Sequence, residues 1–566
     1  MRNLLMAVLA MVSGIYFLGR VQANQEARAE TPPPVIAAAS AAQDAEPNNQ
    51  AEPEAAAEPA ESSEAVAQAL PEPAQKPEAL DGPVLDARAV LGMQGQEPNP
   101  AANNAPAAGE TDALPNIAEL PLEARPIAYV VDAPISYYAQ SGDSLGVLAV
   151  RYGVDASEIR STGEIPAKGF IPAGQLLLIP NKLGETSPGT KIFPDSEVAN
   201  SPSAVGFDLE AYVASAGGYL AGYQEPLYAN GMKTGAEIVA IVAKEFAIHP
   251  RLLLALLEYE SNWVFGQPAS EEARSYPLGF IQEGKVGLYK QLVMAAGVIE
   301  SGYYGWREGT VVALTFPDGR SLRLAAELNC GSVGMMYYFA QKFNFDDWYL
   351  RLYGEHAFVE TYNAMFGNAW LIAQEFEPLF TPAVLQPELI LPFEPGVTWS
   401  YTGGPHAAWG AAQVLAAIDF APPSAATGCL ANNAWVVASA AGLVVRSENG
   451  AVVVDLDGDG LEETGWNLIY LHIATTDRVP VGTWLEQGQR IGHPSCEGGS
   501  STGTHLHMAR KYNGEWVPAE GPLAFDLQGW EARAGRFDYK GWLVRGDQVI
   551  TANLFGAQEA HISREK

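Results

Sequence analysis

Hydrophobic and polar positions change their rhythm several times along this chain. Leu4 to Leu18 is an almost unbroken apolar run behind Met1-Arg2-Asn3, and Val21-Gln22-Ala23 follows it as a small-residue cleavage site. That order of charge, apolar run and small residues predicts an export signal, either cleaved or retained as a short membrane anchor, over residues 1–23. From residue 24 to about 133 the apolar positions give way to Ala, Pro, Glu, Gln and Asn with few aromatics. A segment of that composition buries too little apolar surface to offset its ordering entropy, so it reads as a disordered acidic linker. Short alternating runs and helical stretches then mix over 134–182. A Pro/Ser/Gly-rich connection over 183–205 leads to helical spacing around Glu237–Glu260, Lys290–Ser301, Ala325–Lys342 and Ala357–Phe376, within a unit placed at 206–385. Over 390–545 the pattern turns to short β-rich runs punctuated by Gly and Pro, such as AWVVASAAGLVVRS and TGWNLIYLHI, and a tail is expected over 546–566. The predicted fold class is therefore multidomain: a small β-α-α-β unit, an all-α unit and a mainly antiparallel β unit.

In the first folded unit, Ser141-Gly142-Asp143-Ser144 starts an amphipathic helix, a second helix starts near Asp155, and a closing strand ends at Pro180. Gly142-Asp143-Ser144-Leu145, Tyr152-Gly153-Val154 and Pro172-Ala173-Gly174-Gln175, followed by Leu178-Ile179-Pro180, resemble the LysM module. That resemblance implies binding of N-acetylglucosamine-containing glycans such as peptidoglycan.

The helical unit contains HPRLLLALLEYESNW, His249 to Trp263. With Pro250 in the first turn, a rotation of about 100° per residue sets Leu252, Leu253, Leu256 and Leu257 on one stripe. Glu260 falls within that stripe and Glu258 points away from it, into solvent. A carboxyl group among leucines should have a raised pKa, as a general acid needs near neutral pH. The Glu-Ser pair resembles that of the lysozyme-like lytic transglycosylases, with looser matches at Pro277-Leu278-Gly279-Phe280 and Thr361-Tyr362-Asn363. The resemblance implies Glu260 as acid and base for cutting glycan strands, with Tyr362 and Asn363 lining the sugar groove.

The β unit carries five of the eight histidines of the chain between positions 406 and 507. His505 and His507 lie in THLHM, where strand alternation puts both imidazoles on one face. Alternation likewise puts Trp466, Leu468, Tyr470 and His472 on a common face. A catalytic zinc wants three His or carboxylate ligands and an open position; His406, Asp419 and His507 supply such a set, and His472 and His505 remain beside it. The order His406, Ile418-Asp419-Phe420, Tyr470-Leu471-His472 and Gly503-Thr504-His505-Leu506-His507 resembles the lysostaphin-type and LytM-type zinc endopeptidases, which cut peptide bonds of peptidoglycan. That resemblance implies Zn2+ held by His406, Asp419 and His507, with His472 and His505 orienting water and stabilising the oxyanion.

Net charge is −33 over 566 residues, which argues against a nucleic-acid partner. Asp455, Asp457 and Asp459 alternate with Gly as in a calcium loop, and a solvated hairpin tip explains them equally. Cys429 and Cys496 flank the histidine-rich region as a bridge or as two thiols, and Cys330 is odd. The reading that unites these features is an exported peptidoglycan hydrolase outside the cytoplasmic membrane, in the cell wall or secreted. LysM anchors it, a zinc endopeptidase cuts stems or cross-links, and glycan cleavage in the middle unit is a further expectation. The alternative is a non-catalytic wall-binding protein or an activator of other hydrolases.

Overall fold

The computed structural model describes residues 133–565 except 228–230, 382–383, 411 and 425–427. The expected export signal or anchor and the acidic linker lie outside these residues. Among the described residues no helix is long and apolar enough to cross a membrane.

The first unit forms as expected, with one adjustment. β1 (Ile135–Tyr138), α1 (Leu145–Tyr152), β2 (Arg160–Ser161) and β3 (Leu176–Ile179) enclose Tyr137, Leu148, Tyr152, Leu177 and Ile179. Both β1 and β2 pair antiparallel with β3. The second helix is a single 3-10 turn, Ala156–Glu158, closed by a reciprocal Asp155–Glu158 capping box. The unit is not a free bead. Arg151 is buried, ion-paired with Asp143 at 2.8 Å, and donates to the Trp306 carbonyl of the helical unit.

Residues 183–205 are ordered rather than a loose connection. Their Pro and Ser content builds short 3-10 turns whose side chains are used: Phe193, Ser196, Glu197 and Ser201 are buried, and Asp195 accepts from Asn329 Nδ2 and the Gly331 N–H. The helical unit follows with α2 (Gly235–Glu245), α3 (Pro250–Ser261), α4 (Leu288–Glu308), α5 (Cys330–Ala340), α6 (Phe345–Tyr353) and α7 (Phe358–Phe366). Thr234 and Glu237 box the start of α2, and Gly309, in the left-handed region, ends α4. α3 is buried along Leu252 to Leu257 without a gap, so it is a central helix and not an amphipathic one.

In the β unit, β4 (Thr398–His406), β5 (Ala417–Ala421), β6 (Gly442–Glu448), β7 (Ala451–Asp455), β8 (Trp466–Leu471), β9 (Trp484–Leu485), β10 (Leu506–Tyr512), β11 (Glu515–Trp516) and β12 (His561–Ser563) form one antiparallel sheet. Its order is β9-β6-β7-β8-β10-β5-β4-β12, with β11 paired to β10. The expected C-terminal tail is thus part of the fold: Ile562 stands opposite Trp399 and closes the β4 edge. A second, four-stranded sheet spans residues 526–551.

Alternation along the strands separates two faces. Ile418, Phe420, Val452, Val454, Leu468, Tyr470 and Met508 point into the core of the β unit. Val453, Ile469 and Ala509 point the other way and pack against the helical unit. His507 and Asp419 belong to this second face.

A candidate metal centre and its surroundings

β10 stands between β8 and β5, and its register sets His507 opposite Asp419 on one side and Leu471 on the other. β4 contributes from beyond β5. Its pairing with β5 slips between Gly403 and His406, so that Gly403 faces Asp419 and His406 faces Ala417. The slip turns the His406 ring over the sheet. Gly403 is required here, because a Cβ would lie 2.5 Å from Asp419 Oδ2.

The result is a buried triangle. His406 Nε2 lies 3.2 Å and His507 Nδ1 3.3 Å from Asp419 Oδ1, and the two ring nitrogens are 3.0 Å apart. One ligand atom from each residue falls within 4.8 Å of the others. What occupies the opposite side of each ring decides the chemistry. His406 Nδ1 is 2.8 Å from the Gly404 carbonyl, and His507 Nε2 is 3.0 Å from the Ala408 carbonyl. A carbonyl only accepts, so each outer nitrogen carries the proton and each inner nitrogen presents a lone pair. Two lone pairs and a carboxylate oxygen therefore converge on one point. Asp419 Oδ1 is itself buried and accepts no well-formed hydrogen bond. That arrangement is repulsive unless a cation joins it, and the donor set of two imidazoles and one carboxylate suits zinc.

Electrostatics point the same way. Burial opposes charge on His406, but the Asp419 carboxylate outweighs it and lifts the imidazole above its ordinary value. Burial likewise opposes the Asp419 charge, and His406 and His505 override it, holding the carboxyl well below the usual range. His507 is lowered by burial. The Asp419 carboxylate thus draws positive charge into the cradle, which a metal ion would supply.

His472 and His505 complete the group. Strand alternation does not deliver His472: β8 ends at Leu471, and His472 has φ 64°, a left-handed turn that carries its ring to the His507 face, away from Leu468 and Tyr470. Its ring centroid is 4.5 Å from that of His505 and 6.1 Å from that of His507. Nδ1 of His472 is bonded to the Glu497 carbonyl at 2.7 Å and Nδ1 of His505 to the Gly503 carbonyl at 2.8 Å, which leaves both Nε2 atoms as acceptors. His505 Nε2 is 3.7 Å from Asp419 Oδ1. Burial, aided by the charges of His505 and His507, lowers His472 to about 3, so it stays neutral.

The sequence did not flag Tyr539, whose ring stacks on His406 at 4.1 Å and whose backbone is left-handed at φ 65°. Gly404 donates to the Tyr539 carbonyl, tying that loop to the ligand strand. No spacing signal links position 539 to 406.

The other expected sites fare differently. Glu260 is not an isolated carboxyl among leucines: Lys342 Nζ lies 2.5 Å from its Oε1 and Tyr338 OH lies 3.3 Å away. An acid already bonded to a built-in ammonium has its charge satisfied. Glu258 does not run into solvent but accepts from the Val264 and Phe265 N–H groups, closing the loop after α3. Tyr362 is buried and donates to Glu197, so it lines no groove, and Asn363, half-buried, accepts from the Ala369 N–H. Asp455, Asp457 and Asp459 do gather. Asp455 accepts the Asp457 and Gly460 N–H groups, and Asp459 accepts the Leu461 N–H and the Thr464 hydroxyl, the bonding of a hairpin tip, and nothing supports calcium there. Cys429 and Cys496 are bonded, and Cys330 is a buried free thiol.

Comparison with known proteins agrees with this geometry. Residues 419–518 match the model of peptidase family M23. The C-terminal unit is an M23 peptidase domain. The model of the LysM domain matches 137–180, and that of the LasA N-terminal domain matches 191–379. The middle unit is therefore similar to the LasA N-terminal domain, and the lytic-transglycosylase expectation finds no support. Protease LasA of Pseudomonas aeruginosa (strain UCBPP-PA14) is 26% identical over 339 residues, 56% of this chain and 73% of that protein. The beta-lytic metalloendopeptidase of Lysobacter enzymogenes is 28% identical over 135 residues, 24% of this chain and 74% of that protein. The solved M23 metalloprotease pseudoalterin, from the deep sea, is 23% identical, with 30% of this chain and 96% of that one covered at a TM-score of 0.25. The M23 domain carries with it the expectation of metalloendopeptidase activity.

Proposed function

We propose that this protein is an exported zinc-dependent endopeptidase that cleaves the peptide stems or cross-links of peptidoglycan, with the LysM module contacting the glycan. The observation that carries the reading is the convergence of His406 Nε2, His507 Nδ1 and Asp419 Oδ1, all lone-pair donors, beside two further imidazoles whose Nε2 atoms also face inward. A zinc ion held by the first three would supply Lewis acidity toward water and the scissile carbonyl.

The remaining steps belong to the chain's own side chains. His472, neutral and with Nε2 free to accept, takes a proton from the attacking water. That proton is then delivered to the leaving amine. His505, whose Nδ1–H is fixed to the Gly503 carbonyl, would donate from Nε2 to the developing oxyanion as the imidazolium. The Tyr539 ring closes one side of His406 and keeps bulk water from that ligand.

A wall-binding protein without activity is the competing reading, and an intact donor set weighs against it. Metal analysis of purified protein and peptide release from peptidoglycan sacculi test the assignment together. One zinc per chain and release of stem or cross-link peptides are expected; protein that binds no zinc, or sacculi left intact by zinc-loaded protein, would sink it.

A further inference from the structure

The segments beside the two proton-handling histidines lie outside the sheet, and Ser501 gives them local support, donating to the Gly503 carbonyl at 2.7 Å and lying 3.3 Å from His505 Nδ1. Residues 498–503 read Gly-Gly-Ser-Ser-Thr-Gly and form no strand, and such a run loses much conformational freedom on ordering. Gly499 leaves open space beside His472, whose Cε1 is the sole atom within 4 Å of where a Cβ would stand, at 3.6 Å. Yet both histidines depend on carbonyls from these segments. Glu497 supplies the oxygen that binds His472 Nδ1. Thr504, next to His505, donates its N–H to the Gly428 carbonyl at 3.1 Å and its hydroxyl to the Leu430 carbonyl at 2.6 Å.

One covalent bond joins the two sides. Cys496 immediately precedes Glu497, and Cys429 lies between Gly428 and Leu430; they are linked across 67 residues of sequence. Ser495, on the other side of Cys496, donates through its N–H and its hydroxyl to the His472 carbonyl, at 2.6 and 3.1 Å. The bridge thus sits at the centre of a ring of hydrogen bonds that starts and ends on the catalytic histidines. The Glu497 carboxylate, held by Thr475, anchors the same turn from outside.

We propose that the Cys429–Cys496 disulfide is a positioning element for His472 and His505, acting through the Glu497, Gly428 and Leu430 carbonyls, and that it sets the His472 tautomer rather than the zinc cradle. This rests on the peptidase reading above. The hydrogen bonds of the cradle come from Gly404, Ala408 and the sheet, and it meets the bridged segments through the 3.7 Å approach of His505 Nε2 to Asp419 Oδ1. Opening the bridge frees the Glu497 carbonyl to turn. His472 then loses the acceptor for its Nδ1 proton and populates the Nε2–H tautomer, which has no lone pair facing the water.

The test uses the full chain loaded with zinc. The bridge is opened in two ways, by Cys429→Ser with Cys496→Ser and by a water-soluble phosphine on the unaltered protein. The phosphine gives two electrons to the disulfide, forming two thiols, and takes an oxygen from water to become its oxide; reoxidation reverses the protein change. Cleavage of a peptidoglycan peptide is expected to lose about 10- to 100-fold in kcat, with KM within about twofold, zinc stoichiometry unchanged, and activity restored on reoxidation. Histidine-selective 15N NMR is expected to show His472 as the Nδ1–H tautomer with the bridge closed and as a mixture with it open. An unchanged kcat, a His472 signal that does not move, or zinc loss in step with activity would overturn the proposal. If the unaltered protein cleaves nothing, the peptidase reading fails, and the NMR arm still decides whether the bridge sets the tautomer.

Discussion

Glu260 and Asp419 are both carboxylates that the chain takes out of water, and they meet opposite fates. Glu260 faces the ammonium of Lys342, just past the C-terminal end of α5, which is itself ringed by Phe280, Tyr338 and Phe343. Its charge is closed within the fold. Asp419 faces only imidazole lone pairs, and its charge stays open. A buried acid with a protein cation as partner is structure, whereas one that the fold leaves for an external cation is a site. Carboxylates among apolar neighbours look alike in sequence, and only the facing group separates them.

The sharpest way to break this contrast is to remove a ligand from the open site. His507→Ala should lose zinc and lower peptide release by about a thousandfold or more, because the remaining pair cannot hold the metal. Metal analysis and a sacculus digest measure both. A smaller loss is expected for Asp419→Asn, which keeps the shape and removes the charge: zinc affinity should fall by about 10- to 100-fold in a chelator competition, with thermal stability nearly unchanged. Retained affinity would mean the carboxylate is not a ligand.

The closed site should respond in stability instead. Glu260→Gln leaves the Lys342 ammonium unpaired, at a cost of about 3 kcal/mol in denaturant unfolding, while peptide release per folded molecule stays the same. Loss of a glycan-cutting activity in that variant, at unchanged stability, would reverse the assignment.

A third carboxylate refines the comparison. Glu300 on α4 is fully buried, accepts one bond from the Gln413 N–H, and leaves Oε1 without a partner; burial raises its carboxyl well above the usual range. With the folded value above the unfolded one, the stability it contributes is complete below the unfolded value and is lost as pH rises through the folded value. Glu300→Gln mimics the neutral acid at every pH. Its advantage over the unaltered protein should grow by about 1.4 kcal/mol per pH unit across that window, and be small near pH 4. A flat difference would show that Glu300 is ionised throughout.

Much of the metal centre was legible because its chemistry is concentrated in few residue types. His505 directly precedes β10 and His507 lies in it, and His406, Asp419 and His507 do meet in one cluster that could hold a metal ion. His472 does lie beside His505 and His507, but alternation does not put it there: its side chain arrives through a positive φ that alternation cannot express. The sequence shows Glu260 among leucines but not the ammonium facing it, which lies 82 residues away, a distance no local pattern spans. The Pro/Ser-rich stretch at 183–205 reads as loose from composition, which reports local stiffness and not the long-range partners, such as Asn329, that order it. Tyr539 was missed for the same reason, since stacking on His406 leaves no periodic trace.

α4 carries a consequence of its own. Near its C-terminal end, Arg307 donates to the Ser141 carbonyl of the LysM module and to both carboxylate oxygens of Glu515 in the M23 domain, at 3.3, 2.7 and 2.8 Å. One guanidinium thus spans three domains, and Gly142 makes room for it, since a Cβ there would overlap Arg307 Nη1. In an enzyme of the proposed function, the sugar-contacting module and the cutting site would then keep a fixed offset. The molecule would work as a ruler laid along the wall, with the spacing of its cuts written into its own dimensions.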